Sequence, residues 1–344
     1  MRVLSISGDR KIFDAESAVR FRQKTYAEAL GNLDCIVFSL SENGNKAFTE
    51  DGLTVAPTNS VMRILYGLDA YFVARRMQKP DIVTAQDPLM TGLAALMIAR
   101  HFSTPLHVQM HSDLSALGWF KSRLALFVLR RASGIRVVLE RTKDELEASG
   151  VTVPISVIPI YVDTERYAEL VRVKHPRWKI AFLCVGRLEP EKRFDRAIDA
   201  LFEVRKKGHD AGLTIVGAGS LERSLKERVR GLRLDNYVEF AGWQNDITQY
   251  LKTADCLLVT SEYEGYGMVI VEALSAGVPV FSTDVGIARE AGAIVVQPRD
   301  FTQELLHWIQ SGPRSGALAL VLPASFEAYV QSIVEDWSAC EYIG

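Results

Sequence analysis

The sequence predicts an α/β protein made of two parallel-sheet domains. Three observations carry the prediction. Short β-branched and apolar runs alternate with helical patterns along the chain, as parallel strands covered by helices on both faces require. That alternation stops and restarts once, near the middle. The 344 residues also exceed what one ordinary core holds, at a soft prior of roughly 150 residues per domain.

In the first half, strands are predicted at residues 2–7, 35–38, 82–85, 106–110, 135–139 and 155–158, with helices between them. One helix has a start signal in Thr142-Lys-Asp-Glu145, a capping-box spacing in which hydroxyl and carboxylate satisfy free backbone N–H groups. Gly150 ends it. The second half predicts strands at 180–185, 213–216, 237–240, 256–259, 278–282 and 293–296. After the first of these, Phe194, Ala197, Ile198, Leu201 and Phe202 recur at helical spacing and lay one stripe on the sheet. Tyr161-Val-Asp163 and the charged stretch to Lys179 have no sustained apolar period, which puts the hinge there and the domains at 1–163 and 164–325. Phe326, Tyr329, Val330, Ile333, Val334 and Trp337 keep helical spacing beyond the second domain, so a helix within 326–344 needs an apolar surface to dock on.

Bulk composition narrows the function. A net charge of −2 gives no general attraction for nucleic acid or anionic lipid, so any basic site is local. Cys35, Cys184, Cys256 and Cys340 are far apart without CxxC spacing, and three fall in strand-like runs, which reads as reduced core thiols. The start, MRVLSISGDR, lacks the apolar stretch and cleavage site of a secretory signal, so a cytoplasmic location is expected. Apolar runs such as residues 89–99 fall short of the roughly 20 residues that cross a bilayer.

The chemistry concentrates in residues 261–280, which read strand end, glycine loop, helix, strand. Gly265 and Gly267 let backbone approach a ligand, and the next helix presents free N–H groups and its positive dipole end to a phosphate. Glu264 precedes that helix and Glu272 lies inside it, about 7.5 Å along the axis for five residues. Carboxylates avoid phosphate but accept from hydroxyls, so the pair suits sugar on one side of a diphosphate and ribose on the other. The bland alternative is a glycine-rich turn with solvated glutamates. In Gly186-Arg-Leu-Glu-Pro-Glu-Lys192, Arg187 leaves a strand end and Lys192 opens the next helix, two cations placed to neutralise a leaving diphosphate. For Lys192 the bland alternative is an ordinary surface lysine.

These residues resemble the retaining GT-B glycosyltransferases of family 4. Glu264 and Glu272, seven residues between them, are similar to that family's signature, and Gly186-Arg187 with Lys192 to its diphosphate-binding pair. The resemblance implies two Rossmann-like domains with sheets facing across a cleft, and a C-terminal helix crossing back to the first. It implies that Arg187 and Lys192 hold the diphosphate, that the amides near Gly267, Met268 and Val269 meet phosphate and sugar, that Glu264 contacts the sugar and that Glu272 contacts the ribose. In the first half, Ile82-Val-Thr-Ala-Gln-Asp-Pro88 and His107-Val-Gln-Met-His-Ser-Asp113 look like family segments, placing Asp87 and His111 at strand ends, His111 toward the donor sugar. Pro159-Ile-Tyr-Val-Asp163 resembles the inter-domain motif. One departure is Ser7-Gly8-Asp9-Arg10 where many relatives carry a glycine pair, which leaves Gly8, Asp9 and Arg10 on the acceptor side. Another is the compact run from Thr283 to Val295, with Gly286 and Glu290 on pattern.

The implied reaction is transfer with retention, from a nucleotide-diphosphate sugar to a saccharide or lipid-linked acceptor, in polysaccharide, glycolipid or glycoconjugate synthesis. Glu264, His111, Arg187 and Lys192 are the catalytic candidates. No Asp-x-Asp pair occurs, so neither a metal nor a cofactor is expected. Val216-Gly217-Ala-Gly219 places Gly217 with the donor residues, yet it also begins like a dinucleotide fingerprint, keeping an NAD(P) oxidoreductase open as a rival. A nucleotide-sugar epimerase and a non-catalytic sugar-nucleotide binder stay open as well. Residues 119–131 mix aromatic, apolar and basic side chains, which suits a core helix with solvated basic groups or peripheral contact with an anionic membrane.

Overall fold

The computed structural model describes residues 1–111, 113–114 and 117–341. The chain divides into two compact units, Met1–Tyr161 with the segment from Pro323 onward, and Val162–Leu322.

In the first unit the strands are β1 (Val3–Ser7), β2 (Leu33–Val37), β3 (Phe48–Glu50), β4 (Leu53–Pro57), β5 (Ile82–Ala85), β6 (Leu106–Met110), β7 (Gly134–Val137) and β8 (Ile155–Val157). They form one sheet in the order β3-β4-β2-β1-β5-β6-β7-β8. Val3 of β1 is in parallel register with Leu33 on one side and Ile82 on the other. All pairs are parallel except the hairpin β3–β4, which sequence reasoning did not find. Its signal was Asp51-Gly52, whose φ angles of 47° and 80° make the tight turn that an Asp-Gly pair favours.

The second unit contributes β9 (Ile180–Val185), β10 (Ala211–Val216), β11 (Val238–Gly242), β12 (Cys256–Val259), β13 (Val280–Ser282) and β14 (Ile294–Val295). Their order is β11-β10-β9-β12-β13-β14, parallel throughout. Counted along the chain this is 3-2-1-4-5-6, the doubly wound order, and it reverses between β9 and β12. The loops leaving those two strands are therefore where a ligand is expected.

Every strand read from the sequence is present, with ends moved by at most two residues. The helix Phe194–Lys206 buries Phe194, Ala197, Ile198 and Leu201 as its spacing predicts, with Phe202 partly covered. The terminal helix Phe326–Glu341 docks on the first unit, where Tyr329, Val330, Ile333 and Trp337 pack with Val3, Leu33 and Ile82. All four cysteines are buried. The capping-box reading is overturned. The helix spans Glu140–Ala148 and starts after Leu139 without a side-chain cap. Thr142 instead donates to Asp113 Oδ1 at 2.6 Å, and Glu145 accepts from the Leu114 N–H at 2.7 Å. The two polar side chains are spent on anchoring the loop after β6.

Candidate active site

The site in the second unit grows from the loops after β9 and β12. Leaving β9, the chain runs through Gly186 and Arg187 into a single 3-10 turn, Pro190–Lys192, so Lys192 sits just ahead of the long helix and not in it. Leaving β12, it runs through Thr260 and Ser261 to Glu264 and Gly265, then to the helix Met268–Ser275. Gly267 stands before that helix with φ 91°, a left-handed turn that glycine adopts at little cost. The two loops are stitched together. The Glu262 N–H donates to the Glu191 carbonyl at 2.8 Å, and Thr260 Oγ1 to the Lys192 carbonyl at 3.0 Å.

This stitching brings Lys192 onto Glu264. The Lys192 ammonium donates to both Glu264 oxygens at 2.6 Å, and Ser261 Oγ adds a third donor at 2.7 Å to Oε1. Both partners are largely buried, with side chains 16% and 10% exposed. Arg187 is different: its head is exposed and pairs with Glu191 at 3.1 Å. Met268 is exposed at the helix start and Val269 half-buried beside it.

Glu272, one turn into the same helix, is half-buried, and the Tyr167 hydroxyl donates to it. Burial pushes its carboxyl above the usual range, and the Tyr167 hydrogen bond opposes that in part. Tyr167 belongs to the short helix Thr164–Ala168, which Asp163 caps by accepting from the Arg166 N–H at 3.3 Å.

Gly217 serves packing. A Cβ there would run into the Gly186 carbonyl, and one on Gly219 would meet the backbone of Leu188. Leu188 also exchanges backbone hydrogen bonds with this turn, through Ala218 at 3.0 Å and Leu221 at 2.9 Å. The space that the two glycines clear is filled by the loop carrying Arg187.

In the first unit, Ser7 at the end of β1 donates to Gln86 after β5 at 2.8 Å, across the point where that sheet reverses. A Cβ on Gly8 would meet nothing, so the backbone there is open to approach. Asp9 caps the turn Arg10–Phe13 by accepting from the Lys11 N–H at 3.1 Å. Arg10 projects into solvent. Asp87 is also engaged locally, accepting from Thr91 Oγ1 at 2.6 Å and from the Leu89 N–H at 2.8 Å. His111 follows β6; burial, with the charges of Arg136 and Arg22, pushes its imidazole down to about 4. It is neutral at physiological pH.

Two family models match this chain, "Glycosyltransferase Family 4" over residues 24–166 and "Glycosyl transferases group 1" over residues 169–293. The chain belongs to this glycosyltransferase family. The chain is 27% identical over 232 residues to a glycogen synthase of Mycobacterium tuberculosis, a match covering 63% of this chain and 55% of the relative. It thus spans about half the length of that relative. It is 24% identical over 261 residues to the amylovoran biosynthesis glycosyltransferase AmsD of Erwinia amylovora, covering 74% and 72% of the two chains. Among solved structures, Anabaena Alr3699/HepE in complex with UDP superposes with a TM-score of 0.69 at 18% identity, covering 100% of this chain and 97% of that one. Sucrose-phosphate synthase from Thermosynechococcus elongatus gives 0.71 at 15% identity, covering 99% and 97%. The chain therefore has the GT-B fold.

Sequence reasoning missed three participants in the polar framework. Ser261 and Tyr167 hold the two glutamates; Ser261 lies only three residues before Glu264 in the same loop, whereas Tyr167 meets Glu272 from far off in the sequence. The third is His107, fully buried between Thr84 Oγ1 and Asp336 Oδ2 at 2.9 Å each, which ties the terminal helix to the sheet.

Proposed function

We propose that the transferase moves a sugar from a nucleotide-diphosphate sugar to an acceptor hydroxyl, with retention and without a metal, in polysaccharide, glycolipid or glycoconjugate synthesis. The Lys192–Glu264 pair carries this reading. It stands where the second sheet reverses, one loop away from the helix start at Met268, so cation, carboxylate and free N–H groups converge on one small region. Lys192 and Arg187 would balance the leaving diphosphate, the amides after Gly267 would meet its oxygens, and Glu264 would accept from a sugar hydroxyl. Glu272 would accept from the ribose. Bond cleavage at the anomeric carbon leaves its electron pair on the diphosphate, which can take the acceptor's proton as the new bond forms on the same face. Neutral His111 suits a hydrogen-bonding partner for the sugar better than a charged one. The UDP held by the Anabaena neighbour supports a nucleotide donor, and AmsD's part in amylovoran synthesis supports a saccharide acceptor. A lipid-linked acceptor would bring the enzyme to the inner face of a membrane, although no described helix is long and apolar enough to cross one.

The test is a thermal-shift screen against UDP, GDP, ADP and dTDP in EDTA, with Lys192→Ala and Glu272→Ala beside the native chain. One nucleotide family should stabilise the native protein and neither variant. A shift with NAD or NADP alone would return the oxidoreductase reading, against which stands the filled space at Gly217. Retained anomeric configuration in the product, read by NMR, tests the stereochemistry.

A further inference from the structure

We infer that the outer surface of three helices in the first unit docks on an anionic lipid bilayer. Helices Tyr66–Ala74, Met90–Phe102 and Trp119–Leu129 lie side by side on one face of the eight-stranded sheet. Their inner sides are mostly small, with Ala70, Ala74, Ala94, Ala95 and Ala125 buried against the strands. Leu96, Ile98, Val128 and Leu129 are buried with them, yet seven large apolar side chains of these helices point out. Leu68 and Phe72 are exposed on the first helix, Met90 and Met97 on the second. On the third, Phe127 is exposed, and Trp119 and Phe120 stand 74% and 72% in solvent, in the run whose sequence suited either a core helix or peripheral contact with an anionic membrane. Val61, Met62 and Ile64 lead into the first helix, equally bare. Ten of the sixteen exposed large hydrophobics among the described residues thus gather on this surface or its approach. Patches of that kind on a folded protein mark a place that something covers.

Charge selects the cover. The chain as a whole is slightly acidic, yet here the balance reverses. Arg63, Arg75 and Arg76 flank the first helix, Arg100 ends the second, and Lys121, Arg123, Arg130 and Arg131 line the third. All eight are exposed, and Asp69 is the one acidic residue on these helices. Among the described residues none of the eight is paired with a carboxylate. Several lie over aromatic rings instead, Arg131 at 3.9 Å from the Phe127 centroid and Arg123 at 5.4 Å from that of Trp119. Elsewhere on the surface comparable cations do find acids, as Arg223 finds Glu227 and Arg289 finds Asp284. A second copy is a poor cover, because a two-fold pairing of this surface would bring the same unpaired cations together. A bilayer with anionic headgroups satisfies both features at once. Its acyl boundary takes the aromatic and aliphatic tips, and its phosphates take the guanidinium and ammonium groups.

Vesicle co-sedimentation of the full chain tests this, with phosphatidylcholine vesicles carrying or lacking phosphatidylglycerol. The protein should pellet with the anionic vesicles at low salt, and about ten-fold less with neutral vesicles or in high salt. The double variant Trp119→Ser, Phe120→Ser should stay in the supernatant while melting at the native temperature, since both side chains are exposed. Lys121→Glu with Arg123→Glu should weaken pelleting with the apolar tips intact. The inference fails if the native chain ignores anionic vesicles at low salt, or if the variants pellet as the native chain does. It also fails if the native protein is a dimer that the Trp119, Phe120 variant makes monomeric. Nucleotide binding by the second unit is read separately by thermal shift, so either proposal can fail alone.

Discussion

Lys192 gives two hydrogen bonds of 2.6 Å to Glu264, one to each carboxylate oxygen, and Ser261 donates to Oε1 of the same carboxylate. A diphosphate arriving at this lysine would compete with Glu264 for it. Glu264→Gln should therefore bind the nucleoside diphosphate more tightly than the native protein, while transfer falls by about two orders of magnitude or more. Lys192→Ala should lose nucleotide binding and about 3 kcal/mol of stability, because it strands a carboxylate that is 10% exposed. Calorimetric titration and denaturant melts separate the two.

Glu272 carries a pH signature of its own. Burial holds its carboxyl above the ordinary 4.5, so it binds a proton in the folded state at pH values where the unfolded chain has lost one. Its contribution to stability is thus greatest below 4.5 and declines as pH rises through the window above it. Nucleotide binding should run the opposite way, weakening as the carboxylate takes up a proton. Tyr167→Phe removes a donor that lowers this carboxyl, so it should move the acid limb of nucleotide affinity to higher pH, and Glu272→Gln should flatten that limb. Affinity measured across mildly acidic pH checks both.

His111 titrates in the other direction. Its imidazole is pushed from 6.5 to about 4 by burial and by Arg136 and Arg22, so the unfolded chain takes up the proton first. Stability should fall as pH drops from 6.5 toward 4, and His111→Gln should flatten that part of the curve. Activity should show no histidine-type limb near neutrality. Urea melts over the same pH range decide the first point, and initial rates the second.

Asp336 anchors the terminal helix through His107, and that contact holds its carboxyl below the usual range despite the opposing effect of burial. Asp336→Ala should cost the first unit about 2–4 kcal/mol, since it leaves a fully buried imidazole nitrogen without its partner. Nucleotide affinity should be unchanged. Proteolysis after mild heating should cut the first unit sooner in the variant.

Much of this was legible in residues 180–280. Parallel strands buried on both faces read as continuous apolar runs, and all of the predicted strands are present; the Gly186-Arg187 turn follows a strand end, Glu264 stands in the loop between strand and helix, and Glu272 is one turn into that helix, where local pattern is informative. What stayed hidden depends on contacts between distant parts of the chain. Nothing near Thr142 says that its hydroxyl will reach Asp113 and forgo a helix cap. Nothing near Tyr167 names Glu272, and His107 and Asp336 are 229 residues apart. Asp87 was read for its position at a strand end, but its carboxylate is taken up by Thr91 and the Leu89 N–H, an arrangement that any helix start after a strand can adopt.

The first unit closes with its final helix, whose Tyr329, Ile333 and Trp337 complete a core begun by Val3 and Leu33. During synthesis on a ribosome the opening 161 residues must therefore wait, incomplete, while the whole of Val162–Leu322 is made and can fold. The half made first is the half finished last. A chain stopped at Leu322 would release a finished second unit tethered to a sheet with one side only partly covered, a ready substrate for chaperones and proteases.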